Sequence, residues 1–352
     1  MYGLLARAAA LAILGVHLRL AVSSTNTPQL RVFGDSLSDT GRLKELTHEL
    51  APPSAYWNGR FCNAPIYSEL LASLLRMRLD SHAVGMAKTA VGPDRTIFGK
   101  MGLEPPTSEE QIARFATDHP GFNQTAGAYQ DIAVLEIGSN DAIGFLGERG
   151  SRTIYEFADQ LSTTVVQQLQ QLYRVGFRQL LAVNLPALDL APKVIGERHA
   201  SNAAVLVATY NRMLADKAHA WADTVSLGFL GVVDLGEFVK AALQPTVAGA
   251  LGITDTRTFC LRGAWLALFN DRVYFSNIAE FLFSFDSGSR CSDPASFFFF
   301  DPIHPTGRVQ WLFGCHMSEH IKALRSGRMP EKPTTHSLLA LIAKCGLWVS
   351  SK

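Results

Sequence analysis

Leu30-Arg31-Val32-Phe33-Gly34-Asp35-Ser36-Leu37-Ser38-Asp39-Thr40-Gly41 is a short apolar run that ends on a glycine and turns polar at once. Leu30 to Phe33 reads as a buried strand. In an open parallel α/β sheet, functional groups gather just beyond the carboxyl ends of the strands. A serine on a sharp turn at that place keeps its hydroxyl free and its own amide available as a donor, as a nucleophile requires. A plain turn capped by Asp or Ser fits the same residues, so the reading depends on partners elsewhere in the chain.

Working outward, the pattern of strand and polar turn repeats. Arg78 to Ala83 is followed by Val84-Gly85-Met86-Ala87, and Asp131 to Ile137 by Gly138-Ser139-Asn140-Asp141. The second of these is almost wholly apolar, as a central parallel strand should be. Arg178 to Val183 ends in Asn184-Leu185-Pro186, and Val225 to Val233 ends at Asp234. Between them, Ile66–Leu75, Ile154–Tyr173 (stopped by Gly176), Asn202–Trp221 and a closing segment from Gly307 to Leu324 carry apolar residues at helical spacing. Such alternation predicts one doubly wound parallel sheet with helices on both faces, a three-layer α/β/α fold of about five strands. Two stretches fall outside the pattern. Gly92 to Asn123, rich in Gly, Pro and charge, has the character of a lid or binding loop, with one amphipathic piece at Gln111 to Phe115. Ala241 to Asp293 reads as a large surface insertion.

The composition narrows the function. The chain has 352 residues, 47% apolar and 18% charged, with a formal net charge of +1 and no basic block. Nothing there points to nucleic acid or to an anionic membrane surface. Arg7 precedes an apolar run from Ala8 to Val16, and Ala21-Val22-Ser23 offers small residues for cleavage. The run is too short to span a bilayer, so residues 1–23 read as a signal peptide, with an uncleaved anchor as the competing reading. Residues 24–330 then form the single domain and 331–352 a tail, in which His336 to Trp348 reads as a docking helix. Export suits a glycosylation sequon at Asn123-Gln124-Thr125. It also suits five cysteines, taken as one or two disulfides and a free thiol. Cys260–Cys291 is the preferred pair and Cys315–Cys345 the second, leaving Cys62; spacing alone does not fix this connectivity.

Partners for the serine are present. Asp301-Pro302-Ile303-His304-Pro305 places a carboxylate and an imidazole three residues apart in a proline-stiffened loop. An Asp that accepts from one ring nitrogen fixes the tautomer and leaves the other nitrogen to take a serine proton. Asn140 supplies a side-chain amide at a strand end, and Gly85 a backbone N–H, as donors for a developing oxyanion. Asp141 beside them reads as a brace. Each residue alone is equally at home in an ordinary loop.

Taken in order, the set resembles the GDSL, or SGNH, hydrolase family from Leu30 to Leu324. Phe-Gly-Asp-Ser-Leu-Ser-Asp-Thr-Gly and Phe-Asp-Pro-Ile-His-Pro-Thr are its most specific motifs. Tyr56-Trp57-Asn58-Gly59-Arg60-Phe61-Cys62-Asn63 and Asn184-Leu185-Pro186 resemble stretches of its long, secreted members. The resemblance implies a flavodoxin-like fold and no metal or cofactor. It implies Ser36 as nucleophile, His304 as base and then acid, Asp301 as its orienting partner, and an oxyanion hole from Ser36, Gly85 and Asn140. Two departures stand out: Gly85-Met86 for the usual Gly-Gly, which puts the donor at either position, and Cys62 and Ala64 for the usual Ser and Gly. A secreted, monomeric ester hydrolase without stable membrane insertion is expected, acting on lipid or acylated carbohydrate. A carbohydrate acetyl esterase, a phospholipase or acyltransferase, and an inactive binding protein on the same fold are the alternatives. Tyr56, Trp57 and Phe61 fit a sugar platform, an acyl groove or core packing equally.

Overall fold

Leu30 and Val32 face one side of the first strand and Phe33 the other, and this period of two sorts the core into two layers. The structure, a computed structural model, describes residues 27–90, 102–147, 151–195, 200–262 and 289–347. The expected signal peptide, part of the lid-like loop and the middle of the insertion lie outside the described residues.

In chain order the elements are β1 (Gln29–Gly34), α1 (Arg42–Leu46), α2 (Tyr67–Leu75), β2 (Arg78–Ser81), α3 (Ser108–Asp118), β3 (Ile132–Glu136), α4 (Ser139–Gly147), α5 (Ile154–Val175), β4 (Gln179–Val183), α6 (Ala200–Ala222), β5 (Phe229–Val233), α7 (Leu235–Ala242), α8 (Pro245–Ala250), β6 (Asp255–Phe259), β7 (Phe297–Phe299), α9 (Gly307–Arg325) and α10 (Thr335–Lys344). The five-stranded sheet has the order β2-β1-β3-β4-β5, and every pairing is parallel. Chain direction across the sheet reverses between β1 and β3, which opens a crevice at their carboxyl ends.

One face buries Leu30, Val32, Ile132, Val134, Leu181 and Val183 against α2, α7, α9 and α10. The opposite face buries Phe33, Ala133, Leu135, Leu180 and Ala182 against α3, α5 and α6. The helices begin where their sequences cap them: Thr107 and Thr153 each accept from the backbone N–H three residues on, and Glu110 and Glu156 reach back. At the amino end of the sheet, the buried Arg31 guanidinium lies between Asp80 and Asp131.

Two expectations need correcting. Ala241 to Asp293 is no surface insertion at its start: Ala242, Val247, Ala248, Leu251, Cys260 and Leu261 are all buried, and the helix that leads into it, α7, is capped by Asp234, which accepts from the Glu237 N–H at 3.0 Å. The Asp-x-x-Glu start was readable in the sequence, but short helices give too few turns for the period to show. Strand β7 then pairs with β6 in a separate two-stranded sheet. The second correction is smaller: β2 stops at Ser81, although the ladder to β1 continues through the His82 and Val84 N–H groups.

Both expected disulfides, Cys260–Cys291 and Cys315–Cys345, are formed, and Cys62 is a buried free thiol. The second fastens α10, which buries Leu338 and Ile342 against the body, with Leu339 and Leu341 half-buried beside them. It closes a span of 30 residues, for which chain entropy gives a stabilisation of about 3–4 kcal/mol. Replacing Cys345 by Ser should lower unfolding free energy by that order under oxidising conditions, measured by denaturant titration. An unchanged midpoint would mean that α10 adds nothing to the cooperative unit.

Candidate active site

Gly34 ends β1 so close to β3 that a Cβ there would collide with the Glu136 carbonyl. Gln111 clamps the same residue from α3, its Oε1 accepting from the Gly34 N–H at 2.9 Å and its Nε2 donating to the Gly34 carbonyl at 3.0 Å. The chain therefore leaves the sheet at a fixed point, and Ser36 follows two residues later. Its Oγ lies 2.7 Å from Nε2 of His304, 268 residues along the chain. Nδ1 of His304 lies 2.6 Å from Asp301 Oδ2. With Nδ1–H donated to the carboxylate, Nε2 presents a lone pair to the serine hydroxyl.

Asp301 is fully buried and fully engaged. Its Oδ1 accepts from the Ile303 and His304 N–H groups, both at 2.8 Å, and its Oδ2 also accepts from the Tyr56 hydroxyl at 2.7 Å. The Phe61 ring packs on the imidazole with centroids 5.0 Å apart. Asn63 Oδ1 accepts from the Gly307 N–H at 2.9 Å, at the start of α9. One loop, 56–63, thus holds the Asp301–His304 loop at three points. Tyr56 and Phe61 are buried, so neither is a free stacking platform. The Cys62 thiol, pushed up to about 12 by burial, lies 3.5 Å from the Pro305 carbonyl.

The expected oxyanion donors stand differently from one another. The Gly85 N–H does not face the site: it donates to Asp39 Oδ2 at 2.7 Å, and the Gly85 Cα is pressed against the Phe61 ring so tightly that a Cβ would clash. Met86 is next, at φ 66°, in a turn closed by the Ala87 N–H donating to the Val84 carbonyl at 3.1 Å. Asn140 sits in the first turn of α4, and its Nδ2 donates to the Ala87 carbonyl at 2.9 Å. Asp141 accepts from the Thr89 hydroxyl at 2.9 Å and from the Thr89 N–H, bracing the same stretch. Ser36, Met86, Asn140 and His304 share the wall of one cavity of about 160 Å³.

Sequence reasoning gave no role to Asp39, Gln111 or Glu136, and did not place Tyr56 against Asp301. Asp39 is the most consequential. Its carboxylate accepts from the N–H groups of Gly41 (2.7 Å), Arg42 (2.6 Å), Leu43 (3.0 Å) and Gly85 (2.7 Å), joining the turn after β1 to the turn after β2. The Asp that follows Ser38 was the available signal, but its link to Gly85 is a tertiary fact. Glu136 lies behind the serine turn, accepting from Ser38 Oγ at 2.9 Å, while Ser38 Oγ also bonds the Tyr67 hydroxyl at 2.7 Å. Burial pushes Glu136 up to about 7, and burial together with Glu136 pushes the adjacent Asp35 well above the usual carboxylate range. Both shifts favour the protonated forms of these carboxyls.

Two measurements follow from these contacts. Asp39→Ala strands four buried N–H groups and should cost at least about 3 kcal/mol of stability, with a loss of serine-dependent activity that exceeds any loss of folded protein. Wild-type stability and activity in that variant would remove Asp39 from this role. Glu136, raised when folded, contributes fully below its unfolded value and loses that contribution as pH rises through about 7. Glu136→Gln cannot ionise, so its melting temperature should gain on the wild type from about pH 5 to about pH 8. An offset that stays constant over that range would show that Glu136 does not titrate there.

Known proteins with this sequence pattern can now be set beside the geometry. The family of GDSL-like lipase/acylhydrolase proteins matches residues 30–313. The chain is 23% identical over 269 residues to a phosphatidylcholine-sterol acyltransferase of Aeromonas hydrophila, covering 73% of this chain and 72% of that protein. Among solved structures it is similar to a carbohydrate acetylesterase from Sinorhizobium meliloti, at 15% identity and a TM-score of 0.40, covering 84% of this chain and 99% of that one. It is also similar to the M. smegmatis aryl esterase, at 14% identity and a TM-score of 0.41, with the same coverage of 84% and 99%. The family match runs from β1 into α9 and takes in the serine turn, the Gly85-Met86 turn and the Asp301–His304 loop, so the chain belongs to the GDSL-like lipase/acylhydrolase family and is a carboxylic ester hydrolase.

Proposed function

We propose that the chain hydrolyses esters through an acyl-enzyme on Ser36. The observation that carries this reading is the continuous relay from Ser36 Oγ through His304 to Asp301, at 2.7 Å and 2.6 Å. As Oγ attacks the ester carbonyl, Nε2 of His304 takes its proton, and Asp301 stabilises the imidazolium that forms. His304 then gives that proton to the leaving alcohol, and a water activated by the same nitrogen releases the acid.

The oxyanion needs donors on the side of the carbonyl away from His304. We assign them to the Ser36 N–H, the Met86 N–H and Asn140 Nδ2. Among the described residues neither backbone N–H has a hydrogen-bond acceptor, and Nδ2 has a second hydrogen beyond the one given to Ala87. Gly85 supports this donor from behind, through Asp39.

Secretion and glycosylation belong to the same proposal. Two disulfides suit an oxidising compartment, and Asn123 of the sequon is exposed. Among the described residues no helix is long and apolar enough to cross a membrane. A second reading, transfer of the acyl group to an alcohol, is favoured by the similarity to a protein named as an acyltransferase. Transfer and hydrolysis use the same residues and differ only in which acceptor reaches the acyl-enzyme.

Ser36→Ala and His304→Ala should each lower the rate on p-nitrophenyl esters by at least about a thousandfold, and a fluorophosphonate should label the wild type at Ser36 alone. Activity that survives either substitution would overturn the proposal. Product analysis with an added long-chain alcohol separates free acid from transferred ester.

A further inference from the structure

Most of the residues that line the cavity are apolar, with Lys193 also on its wall. Leu188 and Ile143 line it from the loop after β4 and from α4, Phe298 and Phe299 from β7, and Leu235 and Val239 from α7. An apolar cavity of about 150 Å³ is known to take a six-carbon ring, so the 160 Å³ here holds about six carbons by that measure. An acetyl group would leave most of that wall without partner atoms, and the lining would forfeit those contacts.

A second cavity, of about 30 Å³, lies on the far side of Leu37, Leu235, Val239 and Pro305, which line both. It reaches Phe238 and Phe313, between α7 and α9. The two cavities therefore adjoin across these four residues. Helix α7 is placed by Asn184, whose Oδ1 accepts from the Leu235 N–H at 2.8 Å and from the Gly236 N–H at 3.2 Å. The partition is thus carried by a helix fixed at its start to the end of β4.

We propose that this cavity is an acyl pocket for straight chains of about six to eight carbons, and that Leu235 and Val239 set the length it accepts. The proposal rests on the hydrolase reading above and names the substrate class of that site: medium-chain acyl esters rather than acetylated carbohydrate.

The test is the rate on p-nitrophenyl esters from acetate to palmitate, for the wild type, Leu235→Ala and Val239→Trp. Rates are normalised to the fraction of Ser36 labelled by a fluorophosphonate, which removes misfolded protein from the comparison. For the wild type, kcat/KM should climb by up to about fourfold per methylene and level off at about six to eight carbons. Leu235→Ala joins the two cavities and should move the break to longer chains, a gain that damage to the fold does not produce. Val239→Trp should move it to shorter ones. A labelled wild type that is fastest on acetate, or a break at the same length in both variants, overturns the pocket while leaving the hydrolase intact. A wild type that takes no label at Ser36 fails the hydrolase reading instead. Calorimetric titration with octanoate, which needs no chemistry, then decides the pocket, and absence of binding overturns it.

Discussion

A single buried carboxylate, that of Asp39, makes two strand ends into one surface. It gathers three N–H groups from the start of α1 and a fourth from Gly85 after β2. Burial pushes its carboxyl up, yet four donors pointed at the same group form charge-assisted bonds stronger than neutral ones. The geometry resembles an ordinary helix cap with one extra client. That client is the turn bearing Met86, so the position of the proposed oxyanion donor follows the position of the serine turn. Gly34 fixes the other end, because β1 and β3 meet there with no room for a Cβ.

The Asp301–His304 loop is held by a different logic. Asp301 and His304 lie only three residues apart, and the loop's own backbone N–H groups satisfy one oxygen of Asp301. The remaining constraints come from residues 56–63, through a hydroxyl, an aromatic face and a helix cap. Arg290, beside the Cys260–Cys291 disulfide, donates to the Ala55 carbonyl at 2.6 Å and fastens that loop in turn. Two braced halves, which also share the Phe61 ring packed between Gly85 and His304, therefore meet at the Ser36–His304 hydrogen bond. Neither half has to move for the proton to pass.

The five strands and the long helices were legible because their signals are local. Apolar runs ended by Gly, Asn or Asp gave the sheet, and 3.6-residue spacing gave α2, α5, α6 and α9. Helix α7 was missed because eight residues span barely two turns, and it proved to form one wall of the cavity. The residues proposed for the chemistry were visible as types in order, but their supports were not. Tyr56 was readable as an aromatic in a loop, and only the fold shows that its hydroxyl ends on Asp301. The sequence left the proposed oxyanion donor at Gly85 or Met86, since it does not reveal which of two consecutive N–H groups is already taken; in the fold the Gly85 N–H is given to Asp39.

Met86 makes the same point in energetic terms. At φ 66° a side chain with a Cβ costs on the order of 1–2 kcal/mol relative to glycine. Gly85, by contrast, has ordinary backbone angles and is fixed by contact with Phe61. In a Gly-Gly pair the two glycines would thus be required for different reasons, one for space and one for conformation. This chain keeps the first and gives up the second. The cost falls at a position whose side chain lines the cavity that holds Ser36, where the proposed acyl chain would meet it. A methionine, unbranched and polarizable, suits a wall that must adapt to a flexible chain better than one that must recognise hydroxyls. Strain at this turn and the mostly apolar lining of the cavity are therefore two expressions of one preference.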